Sequence, residues 1–168
     1  HYEVLGVEQG VVGASGQWGA QAGQECLRGA GAVPGHGAVD ADGKTGDGAG
    51  IHIEVPQDFF AEVVERGGDR LRPGRIAVGM VFLPKTDLGA QERCRQIIET
   101  EILNAGYSIY GWRQVPINVA CIGEKANATR PEIEQILIFD PEQRDIETAE
   151  RDMYVIRRRI EKQAIATQ

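Results

Sequence analysis

"HGAVDADGKTGDGAGI", residues 36–51, gathers five glycines and four charged side chains around a Gly-Lys-Thr, immediately before an apolar alternation begins. A phosphate-binding loop would need Gly-x4-Gly-Lys-Ser/Thr between a strand and a helix, so that backbone N–H groups and a helix N-terminus surround the phosphates. Counting back from Gly43-Lys44-Thr45, the place of the first glycine is held by Ala38, and the residues that follow have the pattern of a strand. A calcium loop of the EF-hand kind fits no better. Starting from Asp40, its fifth, sixth and twelfth positions would be Lys44, Thr45 and Ile51, where oxygen ligands, a glycine and a carboxylate are required. A glycine-rich turn, with Asp40, Asp42 and Asp47 bonding local backbone, accounts for the composition without any ligand.

Downstream the pattern is regular. Ile51, Ile53 and Val55 alternate with His52 and Glu54, which predicts a half-buried strand. Pro56 suits the first turn of a helix carrying Phe59, Phe60, Val63 and Val64 on one face, with Gly67-Gly68 as its stop. "RIAVGMVFLP", residues 75–84, reads as a buried strand in which Gly79 marks a close backbone approach. Asp87 is placed to cap a helix through Ala105, with Cys94, Ile97, Ile98, Ile102 and Ala105 as its apolar stripe and Gly106 after its end.

"YSIYGWR", residues 107–113, returns to strand, and "QILIF", residues 135–139, is another, reached through the turn-prone "NATRPE" at 127–132. Asp145 begins a last helix with the stripe Ile146, Ala149, Met153, Ile156 and Ile160, which leaves Arg157, Arg158 and Arg159 mainly on the wet side. No helical pattern separates Tyr107 from Phe139, so a mixed α+β fold is expected in preference to a doubly wound parallel sheet.

The 168 residues suit a single domain with a formal charge of −7, which argues against a nucleic-acid footprint and against adhesion to anionic membrane. No apolar run is long enough to span a bilayer and no signal-peptide pattern opens the chain, so the expected compartment is the cytoplasm. Cys26, Cys94 and Cys121 are too far apart for a zinc pair and odd in number for a disulfide framework, and are read as reduced thiols. Composition breaks near Gly35: residues 1–35 hold nine of the 22 glycines but only four charged residues. Gly16, Gly19, Gly23, Gly29 and Gly31 would each cost a helix about 1 kcal/mol relative to Ala.

"GAVDADGKTGDGAGIHIEVPQDFF", residues 37–60, closely resembles the start of the glutaminase domain of bacterial glutamate synthase large chains. "AVGMVFLP" at 77–84, "ETEILNAGYSIYGWRQVPINVACIGEKANATRPEIEQILI" at 99–138 and "MYVIRRRIEK" at 153–162 resemble later segments of that family in the same order, covering residues 37–162. The resemblance implies a partial class II glutamine amidotransferase domain at 37–168, with an α+β fold of the N-terminal nucleophile hydrolase kind: a four-layer αββα sandwich, here incomplete. It also implies a family role in nitrogen assimilation and glutamate biosynthesis. An N-terminal cysteine thiolate, with its own α-amino group as base, attacks the glutamine amide, and donors from an Asn-Gly segment hold the oxyanion. The ammonia passes through a tunnel to an oxidoreductase site that aminates 2-oxoglutarate, using FMN and an iron–sulfur cluster carried elsewhere in the full-length family. Glutamine, the remainder of the large chain and a small electron-donating subunit are the implied partners; nucleic acid and membrane are not.

The sequence departs from that pattern where the chemistry should be. No Cys-Gly and no Asn-Gly dipeptide occurs, and Gly35-His36-Gly37 stands where the family has His-Arg-Gly, so the family's arginine is not carried onto His36. No catalytic, cofactor-binding or metal-ligating residue is therefore assigned. Residues 1–36 are left unassigned, read as the product of a shifted reading frame, as a disordered stretch or as a divergent arm, and the chain is expected to stop before the domain is complete. Taken alone it is expected to be inactive as a glutaminase. A non-catalytic interaction or structural module on the same scaffold is the alternative, and a nucleotide binder using Gly43-Lys44-Thr45 the weakest reading.

Other residues carry plain structural expectations. Cys94 and Cys121 read as small buried hydrophobes, and His1, His36 and His52 lack the neighbouring ligands a metal needs. Trp112 reads as packing with a bonded N–H, and Arg157–Arg159 as a solvated face.

Overall fold

The computed structural model describes residues 53–166. They fall into two units, residues 55–116 with 131–166, and residues 53–54 with 117–130.

In the larger unit, α1 (Gln57–Arg66) starts behind Pro56, whose carbonyl accepts from Phe60 N at 3.2 Å. Its buried face is Phe60 and Val64. Gln57 does more than begin the helix: its side-chain amide accepts from Ile76 N at 2.8 Å and donates to Ile76 O at 3.0 Å. These are the two bonds a neighbouring strand would have made, so the first residue of β1 (Ile76–Leu83) is held against α1.

Then α2 (Leu88–Asn104) opens on Asp87, whose carboxylate accepts from Ala90 N at 2.8 Å. It closes at Gly106, which reaches a φ of +83° that a side-chain-bearing residue would resist. Tyr107 N then donates back to Ile102 O at 3.2 Å, and the chain turns directly into β2 (Ser108–Gln114).

The smaller unit holds a 3-10 turn at Val119–Cys121 and a short helix, α3 (Glu124–Thr129). Asn118 Oδ1 accepts from Ala120 N at 3.2 Å, and Arg130 Nε donates to Asn127 Oδ1 at 3.1 Å. Arg130 is extended (φ −61°, ψ 139°), as the residue before a proline prefers.

Back in the larger unit, β3 (Glu132–Phe139) enters between the other two strands to give the order β1-β3-β2, antiparallel on both sides. The registers run from Ile76 opposite Phe139 to Leu83 opposite Glu132, and from Ser108 opposite Phe139 to Gln114 opposite Glu134, with a bulge between Ile109 and Gly111. Last comes α4 (Ile146–Ala166), capped by Asp145, which accepts from Thr148 N at 2.9 Å and Thr148 Oγ1 at 2.8 Å.

Each face of the sheet has its own core. Val81, Leu83, Ile136 and Ile138 meet Ile98 and Ile102 of α2 and Met153, Ile156 and Ile160 of α4. On the opposite face Ile76, Val78 and Leu137 meet Phe60 and Val64 of α1. The expected α+β class with an antiparallel sheet is what the described residues show. They hold one three-stranded sheet, so the four-layer sandwich is not displayed by them. Among the described residues no helix is long and apolar enough to cross a membrane.

Three local expectations change. The strand expected at 51–55 has its first two residues outside the described set, and residues 53–55 join no ladder; Ile53 is 62% exposed. The first half of the turn expected at 127–132 is helix, because α3 runs over Glu124–Thr129 before the extended Arg130 and Pro131. β3 begins three residues before Gln135, its extra residues being Glu132, Ile133 and Glu134, two acids around one isoleucine.

Gly79 fulfils the close approach read from the sequence: a Cβ there would lie 2.8 Å from Ile136 Cγ2. Gly79→Ala is expected to destabilise the fold by about 1–3 kcal/mol in urea unfolding, through overpacking. Combining it with Ile136→Leu, which removes that branch methyl, should recover part of the loss; strictly additive costs would show that the contact is not the cause.

Candidate functional site

Three polar clusters stand out in the larger unit. On the face under α2, Arg95 grips Glu134 with two bonds, Nε to Oε2 at 2.9 Å and Nη2 to Oε1 at 2.6 Å. That carboxylate raises the arginine further above its ordinary range. Beside it the buried Gln91 donates to Pro84 O at 2.6 Å and accepts from Arg95 at 3.3 Å. Trp112 Nε1 donates to Glu99 at 2.7 Å, as its packing role required.

A second cluster joins the end of α2 to the start of α4. The buried Tyr107 donates its hydroxyl to Asp152 at 3.1 Å, and the Arg144 guanidinium lies 4.7 Å from the Tyr107 ring centroid. Asp140 holds that guanidinium at 2.6 Å and also accepts from Arg144 N at 2.7 Å. Burial first, and the bond to Asp152 second, push the Tyr107 phenol up to about 12.

On the opposite face, one cross-strand row carries the third cluster. Met80, Gln135 and Arg113 are neighbours in register. Arg113 Nη1 donates to Gln135 Oε1 at 2.7 Å, Gln135 Nε2 points to Met80 Sδ at 3.2 Å, and the guanidinium sits 5.1 Å from the Phe59 ring centroid. Sequence reading missed this row; the alternation of β1 and β3 puts Met80 and Gln135 on one face, but the bulge in β2 hides which face Arg113 takes.

None of these clusters pairs a nucleophile with a base. Cys94 packs against the core beneath α2 and borders an apolar recess of about 10 Å3 with Val81, Leu83 and Ile160, and its burial pushes the thiol up. It is partly buried against the core, less enclosed than the buried hydrophobe read from the sequence. Among the described residues no group of His, Cys, Asp and Glu is arranged to hold a metal. Arg157 and Arg158 both pair with Glu161, and Arg157 also lies 5.3 Å from the Tyr154 ring centroid. Cys26, His1, His36, His52 and the Gly43-Lys44-Thr45 loop lie outside the described residues. What the geometry offers is a rigid sheet whose polar groups are spent on one another.

Because the folded phenol is raised above its unfolded value, Tyr107 gives up no stability below about pH 10, and its contribution is lost as pH rises from there toward 12. Absorbance titration should find a phenol still protonated near pH 11, absent from Tyr107→Phe. A native protein in which every tyrosine has ionised by that pH would contradict this network.

The family model for glutamine amidotransferases of class II matches residues 11–168, beginning inside the stretch that sequence reading left unassigned. The NADPH glutamate synthase large chain of Azospirillum brasilense is 65% identical over 126 residues, which is 75% of this chain and 8% of that protein. Ferredoxin-dependent glutamate synthase 1 of Arabidopsis thaliana is 34% identical over 149 residues, 86% of this chain and 9% of the plant protein. Ferredoxin-dependent glutamate synthase 2 of Synechocystis is 33% identical over 135 residues, 80% of this chain and again 9% of the relative. The chain thus spans less than a tenth of the length of these relatives.

Proposed function

The chain belongs to the class II glutamine amidotransferases, and from that premise we propose that it is a segment of the glutaminase domain of a glutamate synthase large chain. The observation that carries this reading is the 65% identity to the Azospirillum large chain, far above the level at which fold alone is shared. The motif-bearing stretches 77–84 and 99–138 supply β1 but for its first residue, the last turns of α2 from Glu99 to Asn104, β2, and all but the last residue of β3, which is nearly the whole sheet.

On this reading the segment contributes scaffold. The intact domain would fold as the four-layer sandwich of its family, with the face that carries Arg113, Gln135 and Met80 turned toward the second sheet. Glutamine would be hydrolysed by a terminal cysteine through a glutamyl thioester. The ammonia would be delivered within the cytoplasmic enzyme to 2-oxoglutarate, at a site where the full-length family supplies flavin and iron–sulfur chemistry. The remaining large chain and a small electron-donating subunit are the partners that follow.

As written, the sequence contains neither Cys-Gly nor Asn-Gly, so nucleophile, amine base and oxyanion donors are unprovided. The purified 168-residue chain, incubated with glutamine in a coupled ammonia assay, is expected to release none above a protein-free blank. Turnover at an enzyme-like rate, on the order of 1 per second or faster, would show that the chemistry lies in these residues after all.

A further inference from the structure

We propose that the outward ridge of α4, formed by Arg151, Tyr154, Val155, Arg159 and Lys162, docks on an acidic surface of the remainder of the large chain; this rests on the reading of the segment given above. Between Arg151 and Lys162 five cations face two acids, in a chain whose formal charge is −7. Glu161 is already shared by Arg157 and Arg158, and Asp152 is held by Tyr107 with Arg144 nearby. Among the described residues, no carboxylate reaches Arg151, Arg159 or Lys162. With them stand Tyr154 and Val155, 58% and 39% exposed.

The helix dipole does not explain this arrangement. Its effect is confined to the terminal turns, whereas the last turn of α4 contains no basic residue and Arg151 sits in the N-terminal half, where a cation is not favoured. A solvated face would more commonly intersperse signs at three- and four-residue spacing, as Arg66 with Glu62 does on α1 and Arg157 and Arg158 with Glu161 do on the flank of α4, whereas Arg159 and Lys162 have no acidic residue at those spacings. Local charge segregation beside exposed aromatic and aliphatic surface is the composition of an interface.

The covalent neighbour is the occupant because the Azospirillum large chain, 65% identical, is more than ten times as long as the match. A tethered acidic surface meets the ridge at high effective concentration. A free polyanion such as nucleic acid or an anionic bilayer must first approach a molecule of like net charge.

Acylation of Lys162 in the large chain that carries this segment, followed by mass spectrometry, reads the contact directly. Relative to the same lysine in a peptide of residues 146–166, Lys162 should react about tenfold more slowly at about 0.1 M salt and approach the peptide rate near 1 M. The Arg151→Glu, Arg159→Glu double variant should bring the low-salt rate up to the peptide value. Lys162 reacting at the peptide rate in the unsubstituted large chain at low salt overturns the proposal, and so does protection that appears only when anionic vesicles or DNA are added. Absence of glutamine-dependent ammonia release from the same preparation overturns the functional reading instead, independently of the Lys162 ratio.

Discussion

β3 has to satisfy two strands and two cores at once, and every other element of the larger unit is placed by that requirement. Its edges are bonded to β1 on one side and β2 on the other, and Ile136, Leu137 and Ile138 in succession are buried on alternate faces. Each such side chain contributes about 1.5–3 kcal/mol relative to an exposed position. A one-residue slip would exchange the two faces, sending Leu137 under α2 and α4 and Ile136 toward α1. The absence of a side chain at Gly79 helps to fix the register, since a Cβ there would meet Ile136 Cγ2 at 2.8 Å.

Polar clamps finish what the apolar pattern begins. Toward the N-terminal end of β3, Glu134 would be costly beneath a helix without Arg95; removing Arg95 strips this largely buried carboxylate of its cation, whereas Arg95 keeps Glu92 as a second partner. Toward the other end, Tyr107, Asp140, Arg144 and Asp152 bind the turn after α2 to the entry of α4. Gln57 does the same for α1 and β1. The elements are therefore joined by side chains far apart in sequence, which suits a scaffold that must hold groups supplied by other segments.

Much of this was legible in the residues. Asp87, Gly106 and Asp145 punctuate their helices where read, and the apolar runs at 76–83 and 135–139 are strands because nothing else buries such runs on both faces. Legibility failed where partners decide. The alternation of Ile53 and Val55 looks like a strand, but a strand needs a neighbour to bond to. Glu132 and Glu134 look wet until Arg95 is known to lie above Glu134. Helix α3 is too short for a period to show. The site was legible mainly as motifs: spacing argued against a P-loop and a calcium loop, while only family resemblance pointed to a glutaminase. The Met80–Gln135–Arg113 row depends on a pairing that no local pattern reveals.

On the proposed reading the molecule separates scaffold from chemistry, with Arg95 on Glu134 and Arg113 on Gln135 helping to hold β3 between its neighbours. The direct test of that separation is to replace the aligned segment of the Azospirillum brasilense large chain by residues 37–162 and measure glutamate formation from glutamine and from free ammonia. If these residues are the family's scaffold, the hybrid should keep glutamine-dependent activity within about tenfold of the parent, as volume-conserving core exchange allows. A folded hybrid that still uses ammonia but has lost glutamine would contradict the account.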